Sequence, residues 1–465
     1  MTTAVDQRKK ALGFALFFGA LSELLFGYDS GIAGIALLSV GKTFELTPAL
    51  SGFVVSSLLL GAAVGVAVAG RIADRIGRRP ALLVVSGFFI LGGLVTALAP
   101  HVWALILGRF IMGIGVGGSA SVVTVYLIEV APARARGRIG SLGQLMVVCG
   151  ILLAYVAGYA LQPMDAWRWM LGLSVIPGIV IALGLLALPE SPRWFVTKGR
   201  RDEARTALQR LRGGEVDDEL TELEQAHARA DGATRSTSLV LRAMISRSAR
   251  RNTIAAALLA VLVQFVGTNS IIYYAPNALV AAGFSEAGAA AANVSVGLIN
   301  LIFTLIGLAI VDRFRRRSLL TIGVGVMVLA MLYLTIVNLT PVAHTTAGGF
   351  LTLVGMLVFL AAFAVSWGLL VRVIVSELFP SPIRGTATGL VLVLNWLANF
   401  VVGLTFPSLL AISAALSFGI FTVTGLIALL FVRRILPETG GGARLEDVAP
   451  VMSASGRAGS ASAAR

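Results

Sequence analysis

The stretch Gly70-Arg71-Ile72-Ala73-Asp74-Arg75-Ile76-Gly77-Arg78-Arg79 decides how this chain is read. It sets four arginines and one aspartate between two long apolar runs. Alone, it would pass for a nucleic-acid patch. Its flanks exclude that reading: apolar segments of membrane-spanning length stand on both sides, so the charges lie in a very short loop at a bilayer surface. A second copy, Val311-Asp312-Arg313-Phe314-Arg315-Arg316-Arg317, again stands between apolar runs. A charged turn that recurs once indicates two similar halves.

Sequence offsets test the duplication. Asp74 and Asp312 are 238 residues apart, whereas Glu129 and Glu377, Arg136 and Arg384, and Pro189-Glu190-Ser191 and Pro437-Glu438-Thr439 are each 248 apart. The shared spacing predicts six spans plus six, related as parallel repeats.

Composition agrees. The 465 residues are 57% hydrophobic and only 13% charged, with a mean hydropathy of +0.90, which leaves too little charged surface for a soluble protein of this length. A hydrocarbon core of about 30 Å needs about 20 apolar residues per helix. Such runs predict spans at 11–38, 49–70, 81–99, 102–127, 138–161, 168–188, 252–280, 286–311, 318–338, 348–375, 384–407 and 412–436. They are too long and continuous for barrel strands. The expectation is an all-α membrane protein with twelve transmembrane helices in two six-helix bundles. Its units are an N-terminal bundle (1–188), a cytoplasmic helical linker (189–250), a C-terminal bundle (251–436) and a cytoplasmic tail (437–465). In the linker, Arg200 to Arg212 has helical spacing with Ala204, Leu208 and Leu211 on one face, a short helix lying against the bundle. The end of the tail, rich in Ser, Ala, Gly and Arg, is expected to be disordered.

The net charge of +14 follows from where the bases sit. Arg71 to Arg79, Arg134 to Arg138, the segment 189–250, Arg313 to Arg317, Arg384, Arg433 and Arg434 fall in alternate loops or near the termini. The other loops hold Lys42, Arg168 and two histidines. Lys and Arg collect on the cytoplasmic side, so both termini are expected there and no nucleic-acid partner is expected. Arg8, Lys9 and Lys10 precede the first apolar run as in a signal peptide, yet no small-residue cleavage site follows, so an uncleaved first helix is expected. The lone Cys149 permits no internal disulfide. His101, His227 and His344 offer no ligand spacing, so neither metal nor cofactor is expected. Gly113, Gly115 and Gly118 spell a dinucleotide fingerprint but lie within a span with no preceding strand, so they are read as close helix packing.

Further landmarks fill in the plan. They are Phe26-Gly27-Tyr28-Asp29 in the first span, Gly108-Arg109-Phe110 in the fourth, and Glu129 with Pro132, Arg136 and Gly137. Pro189-Glu190-Ser191-Pro192-Arg193-Trp194 follows, then Gln264, Gly267, Asn269 and Tyr273-Tyr274 in the seventh span. Last come Ser366-Trp367-Gly368, Ser376-Glu377, Arg384-Gly385, Asn395-Trp396 and Pro437-Glu438-Thr439. In this order and spacing, over nearly the whole chain, they resemble the sugar porter family of the major facilitator superfamily, in particular bacterial proton-coupled symporters.

The resemblance implies roles. Asp29 and Arg109 would handle the proton: an intramembrane ionisable group is a functional hypothesis by default, and a carboxylate alternating between apolar surroundings and an arginine can take a proton on one side and release it on the other. The competing account is a structural ion pair between the first and fourth spans. Sugar contacts would come from Gln144, Gln264, Asn269, Asn300, Gly368 and Asn395, with Phe26, Tyr274 and Trp396 as aromatic walls, because amides supply both donors and acceptors. Any one amide could instead be an interhelical hydrogen bond. Asp74, Arg78, Glu129, Arg136, Glu190, Asp312, Arg316, Glu377, Arg384 and Glu438 would form cytoplasmic ion pairs holding that side shut.

The chain also departs from the family. Val263 stands where a glutamine is usual, Thr268 where isoleucine is usual, Leu369 where proline is usual and Arg372 where a sugar-stacking tryptophan is usual. Gly355 and Gly368 are the remaining hinge candidates in the tenth span. A guanidinium at 372 suits a carboxylate, so a carrier of sugar acids or other organic anions stands beside the leading expectation, proton-coupled symport of a monosaccharide or polyol. Arg372 could instead pair with a nearby acid or turn toward Glu377. A facilitative uniporter and a membrane sensor are further alternatives. An enzyme is not expected, since no catalytic set of side chains faces a common cavity. The expected setting is a monomer in a bacterial inner membrane, with protons, lipid and a small sugar-like substrate as partners.

Overall fold

The computed structural model describes residues 2–130, 136–212, 215–230, 237–246, 249–311, 313–380 and 383–439. Asp312, the side chain of Arg136 and the tail from Gly440 lie outside the described residues. The first half holds α1 (Thr2–Phe44), α2 (Pro48–Ile76), α3 (Arg78–Ala97), α4 (Val102–Val130), α5 (Arg136–Leu161), α6 (Trp167–Gly172) and α7 (Val175–Ala187). Four short helices follow: α8 (Pro192–Thr197), α9 (Arg201–Arg212), α10 (Asp217–Ala230) and α11 (Thr237–Ile245). The second half holds α12 (Arg250–Phe265), α13 (Thr268–Ala281), α14 (Glu286–Ile310), α15 (Arg316–Leu339), α16 (Thr346–Val365), α17 (Trp367–Glu377), α18 (Arg384–Ile412) and α19 (Ala414–Arg434).

Among the described residues, 12 helical spans are long and apolar enough to cross a membrane, and no strand occurs. Large apolar side chains such as Leu91, Leu183, Leu329 and Leu430 point outward, as a lipid-facing surface requires, and the exposed Trp103 and Trp169 sit near one rim, where indoles anchor. The helices overrun the apolar windows: α2 continues to Ile76, α4 to Val130 and α18 to Ile412. A helix satisfies its backbone groups internally in lipid, and nothing obliges it to stop at the headgroups.

Three spans are interrupted. The sixth breaks between Gly172 and Val175. The seventh breaks at Gly267, whose φ of +93° suits a residue without Cβ. The tenth breaks at Ser366 rather than at the glycines flagged by sequence; Gly355 lies inside α16 and Gly368 in the first turn of α17. Ser366 turns its Oγ back to the carbonyl of Ala362 at 2.6 Å, a local bond that competes with the helix ladder.

The duplication is written in the bonds at one end of the bundle. Arg78 Nε lies 3.1 Å from Glu129 Oε2, and Arg316 pairs with Glu377 in the second half. Arg79 donates to the carbonyls of Leu185 and Leu186 at 2.8 and 2.7 Å; Arg317 donates to those of Val432 and Arg433. Each arginine thereby ties the start of the third span of its half to the end of the sixth.

The two turns nevertheless differ. Glu190 accepts from the backbone N–H of Arg78 at 3.0 Å and of Arg79 at 3.1 Å, filling donors that the start of α3 leaves open. Burial pushes the Glu190 carboxyl above its ordinary value, and the N–H groups of Ser191, Arg79 and Arg78 pull it back. Room for this carboxylate comes from Gly77, which has φ +109°; a Cβ there would lie 2.2 Å from Glu190 Oε2. Arg315 takes the corresponding place with φ −63°, and Glu438 approaches more loosely, 3.4 Å from the Arg317 nitrogen.

The short helices α8 and α9 lie against the first half, whereas α11 rests on α12 and α18 of the second. Val196, Ala204, Leu208, Val216 and Leu220 form their own small core, while Arg212 donates to the carbonyl of Val130 at 2.8 Å and Trp194 to that of Asp74 at 3.1 Å. Gly77→Ala is therefore expected to strain the turn and displace Glu190 at a cost on the order of 1–3 kcal/mol. It should lower the thermal midpoint of the purified protein. Arg315→Ala, at an ordinary backbone angle, should leave the midpoint nearly unchanged; equal losses would refute the asymmetry.

Candidate functional site

The halves meet most closely toward the face opposite the termini. A Cβ on Gly34 would lie 2.1 Å from the carbonyl oxygen of Tyr273, and one on Gly52 would lie 2.2 Å from that of Leu404, so bare backbone is what permits these approaches. Tyr155 of α5 donates to the carbonyl of Ile272 at 3.0 Å. A polar clasp joins the halves at the rim: Lys42 Nζ lies 2.6 Å from Glu286 Oε2, and Gln162 Nε2 donates to the same oxygen at 2.9 Å. Asp165 joins this group, 3.4 Å from Lys42 and accepting from Ser39 at 2.8 Å. The Ser39 hydroxyl, with Lys42, holds the Asp165 carboxyl below its ordinary value.

Deeper in the bundle lies Asp29, fully buried on α1. Among the described residues, neither of its carboxylate oxygens has a hydrogen-bond partner, and Nη1 of the buried Arg109 on α4 has none either. The two feel each other's charge without forming a close ion pair, and Arg109 also acts on Tyr273 and Tyr274 of the other half. This is an incomplete pair in a low-dielectric interior.

Near Asp29 stands an aromatic contact between halves. The Phe26 and Trp396 rings meet edge-on at 5.5 Å, and the buried indole N–H of Trp396 has no protein acceptor. An aromatic face beside a free donor suits a sugar, which offers both C–H faces and hydroxyls. Gln264 and Asn269 bond to each other across the break in the seventh span, Asn269 Nδ2 donating at 2.7 Å. Asn395 Nδ2 donates to the carbonyl of Ala260 at 2.7 Å. Asn300 is buried on α14, and Gln144 is half-buried on α5. Tyr274 is buried against Phe406, and its hydroxyl donates to the carbonyl of Gly403 at 2.7 Å, so its donor is committed within the second half.

Of the charges assigned to a latch, Arg78 binds both Glu129 and Asp74, and Ser191 adds a bond to Glu129 at 2.6 Å. Arg384 Nε donates to the carbonyl of Phe379 at 3.1 Å, while Glu377 is held by Arg316. These bonds run within each half. Arg372 on α17 is exposed, and Glu23 on α1 is the acid that feels its charge. Sequence reasoning missed Glu23, though an acid inside an apolar run was a visible signal. It also missed the Lys42–Glu286 clasp, whose partners carry no motif.

A family model described as Sugar (and other) transporter matches residues 15–451. The chain belongs to the sugar transporter family. The glucose transporter GlcP of Staphylococcus epidermidis is 38% identical, over 93% of this chain and 96% of its own. The galactose-proton symporter of Escherichia coli is 35% identical over 92% and 91%. The partially occluded inward open conformation of the xylose transporter XylE from E. coli gives a TM-score of 0.80 at 28% identity, covering 94% of this chain and 100% of that one. This sugar transporter family member is a membrane carrier with the major facilitator fold, not an enzyme.

The clasp yields a measurable expectation. A half-exposed pair contributes about 1 kcal/mol or less, which corresponds to a few-fold change in population. With Cys149 removed and spin labels at Ala49 and Ala287, Glu286→Gln should enrich long distances between the labels a few-fold. An unchanged distance distribution would show that the clasp does not hold this face closed.

Proposed function

We propose that this chain carries a monosaccharide together with a proton by alternating access. The observation that carries the reading is Asp29, a fully buried carboxylate with no hydrogen-bond partner, set near an Arg109 that is itself incompletely bonded. Leaving a buried charge unpaired costs several kcal/mol, so such a carboxylate is tolerated when a proton or an approaching guanidinium neutralises it. As the halves rock, a changed contact from Tyr273 and Tyr274 of the other half would free or engage Arg109 and so alternate the two. The cargo would lie against the Phe26–Trp396 pair, within reach of Gln144, Gln264, Asn269, Asn300, Gly368 and Asn395. The relatives named for glucose, galactose and xylose favour a neutral sugar over a sugar acid.

Two finer assignments accompany this. The face bearing both termini is the cytoplasmic face of a bacterial inner membrane, because Arg71 to Arg79, Arg313 to Arg317, Arg433 and Arg434 lie there. The carrier works as a monomer, its cavity being formed by the two halves of one chain. The charge set at Arg78, Glu129, Glu190, Arg316, Glu377 and Glu438 keeps each half rigid while the halves move; Arg136, Asp312 and Arg384 belong to the same set.

Uptake into proteoliposomes under an imposed pH gradient, screened over hexoses, pentoses, inositol and sugar acids, identifies the cargo. Asp29→Asn should abolish accumulation against a gradient and leave sugar exchange intact; accumulation that survives the change rules out the proton role. For orientation, cysteines at His101 and Glu222 in a Cys149-free chain should react oppositely in intact cells. A membrane-impermeant thiol reagent should label position 101 and spare 222, and the reverse pattern would invert the topology.

A further inference from the structure

Glu23 is a second acid on α1, six residues before Asp29, or about 9 Å along the helix. It is nine-tenths buried and makes no hydrogen bond or close ion pair within the described structure. It rests on α5: a Cβ added at Gly143 would lie 3.7 Å from Glu23 Cγ, and Gln144, a candidate sugar ligand, is the next residue. The same helix α5 touches α17, which carries Arg372. Arg372 is exposed there, has no acid within ion-pair distance among the described residues, and Glu377 on the same helix is already held by Arg316. Glu23, packed on α5 next to Gln144, thus lies in one half and Arg372, on a helix that touches α5, in the other, near enough for Glu23 to feel the guanidinium charge.

We propose that Glu23 and Arg372 are an opposed charge pair, one from each half, that sets the charge of the cargo: Glu23 turns sugar acids away and leaves neutral sugars to bind. A free guanidinium in a cavity is a carboxylate receptor. Glu23 cancels that property. An incoming carboxylate would meet the like charge that Arg372 favours on Glu23, whereas a neutral sugar can donate a hydroxyl to Glu23 and accept one bond from Arg372. Specificity built by repulsion of the wrong ligand is a general device. It also accounts for Arg372, where a charge replaces the family's stacking ring while the named cargoes of the relatives stay neutral.

This inference rests on the sugar-transport reading, and the test separates the two. The purified full chain, wild type and variants, is assayed at pH 7.5 for the thermal shift produced by D-glucose, D-xylose and D-glucuronate, since a ligand that binds the folded state raises its midpoint. Wild type should respond to a neutral sugar and not to glucuronate. Glu23→Gln should gain glucuronate binding by about tenfold in affinity, the scale of one unopposed charge contact. The double variant Glu23→Gln with Arg372→Gln should lose that gain, and Glu23→Asp, which keeps the charge, should behave as wild type. If wild type binds a neutral sugar but Glu23→Gln gains nothing for glucuronate, or Glu23→Asp gains as much, the assignment is overturned and the transport reading stands. If Glu23→Gln cannot be purified folded, Arg372→Lys and Arg372→Gln are compared with Glu23 in place: both should fail to respond to glucuronate, and a response of Arg372→Lys that Arg372→Gln lacks overturns the assignment. No response of any variant to any of the sugars counts against both readings.

Discussion

Each half of this transporter depends on charged groups that close the helix ends where the chain leaves the membrane. Glu190 receives the first N–H groups of α3, Arg79 takes the last carbonyls of α7, and Arg78 is gripped by Glu129 and Asp74. A helix end that emerges at a surface otherwise leaves open donors and acceptors. The Arg78 and Glu129 side chains are largely shielded from solvent, 12% and 7% exposed, so removing either would strand a charge at a cost of about 3–5 kcal/mol. The second half repeats the scheme with Arg316, Glu377, Arg317 and Glu438, more openly around Glu438. Two bodies stiffened in this way can move against one another without losing their internal order.

The contact between the bodies is of another kind. It uses bare backbone at Gly34 and Gly52, single hydrogen bonds such as Tyr155 to Ile272, and a half-exposed clasp at Lys42 and Glu286. Each contribution is small and reversible. The spans that must flex are broken at Gly267 and Ser366, where the backbone already departs from the helix. Packing inside a half is equally close: a Cβ on Gly113 of α4 would lie 2.0 Å from the carbonyl oxygen of Leu58 on α2, which is the helix packing that the glycine pattern implied.

The architecture was legible because bilayer thickness and backbone satisfaction leave few solutions, and because the 248-residue offset marks the repeat. Helix ends were less so, since hydropathy reports lipid contact and not where a helix stops. Within the site, the family resemblance named the amides but could not say which keep free groups. That depends on how each helix is rotated, and it is why Asn395 proves bonded to Ala260, Gln264 to Asn269, and the Tyr274 hydroxyl to Gly403. Pairs across the halves were hidden for the same reason. Lys42 and Glu286 are 244 residues apart and carry no shared motif.

Two acids on one helix then take different work from their surroundings. Asp29 has its cation, Arg109, in its own half, so rocking leaves that pair's backbone frame fixed and changes chiefly what the other half, through Tyr273 and Tyr274, presents to it. The cation that Glu23 feels, Arg372, is in the opposite half, so rocking would change the separation of the charges themselves. The Phe26–Trp396 contact involves a residue midway between the two acids in sequence. In the proposed cycle a proton on Asp29 would be governed by local geometry, while the charge that greets the cargo would be governed by the position of the halves. One helix can then bind two partners in sequence without either carboxylate standing in for the other.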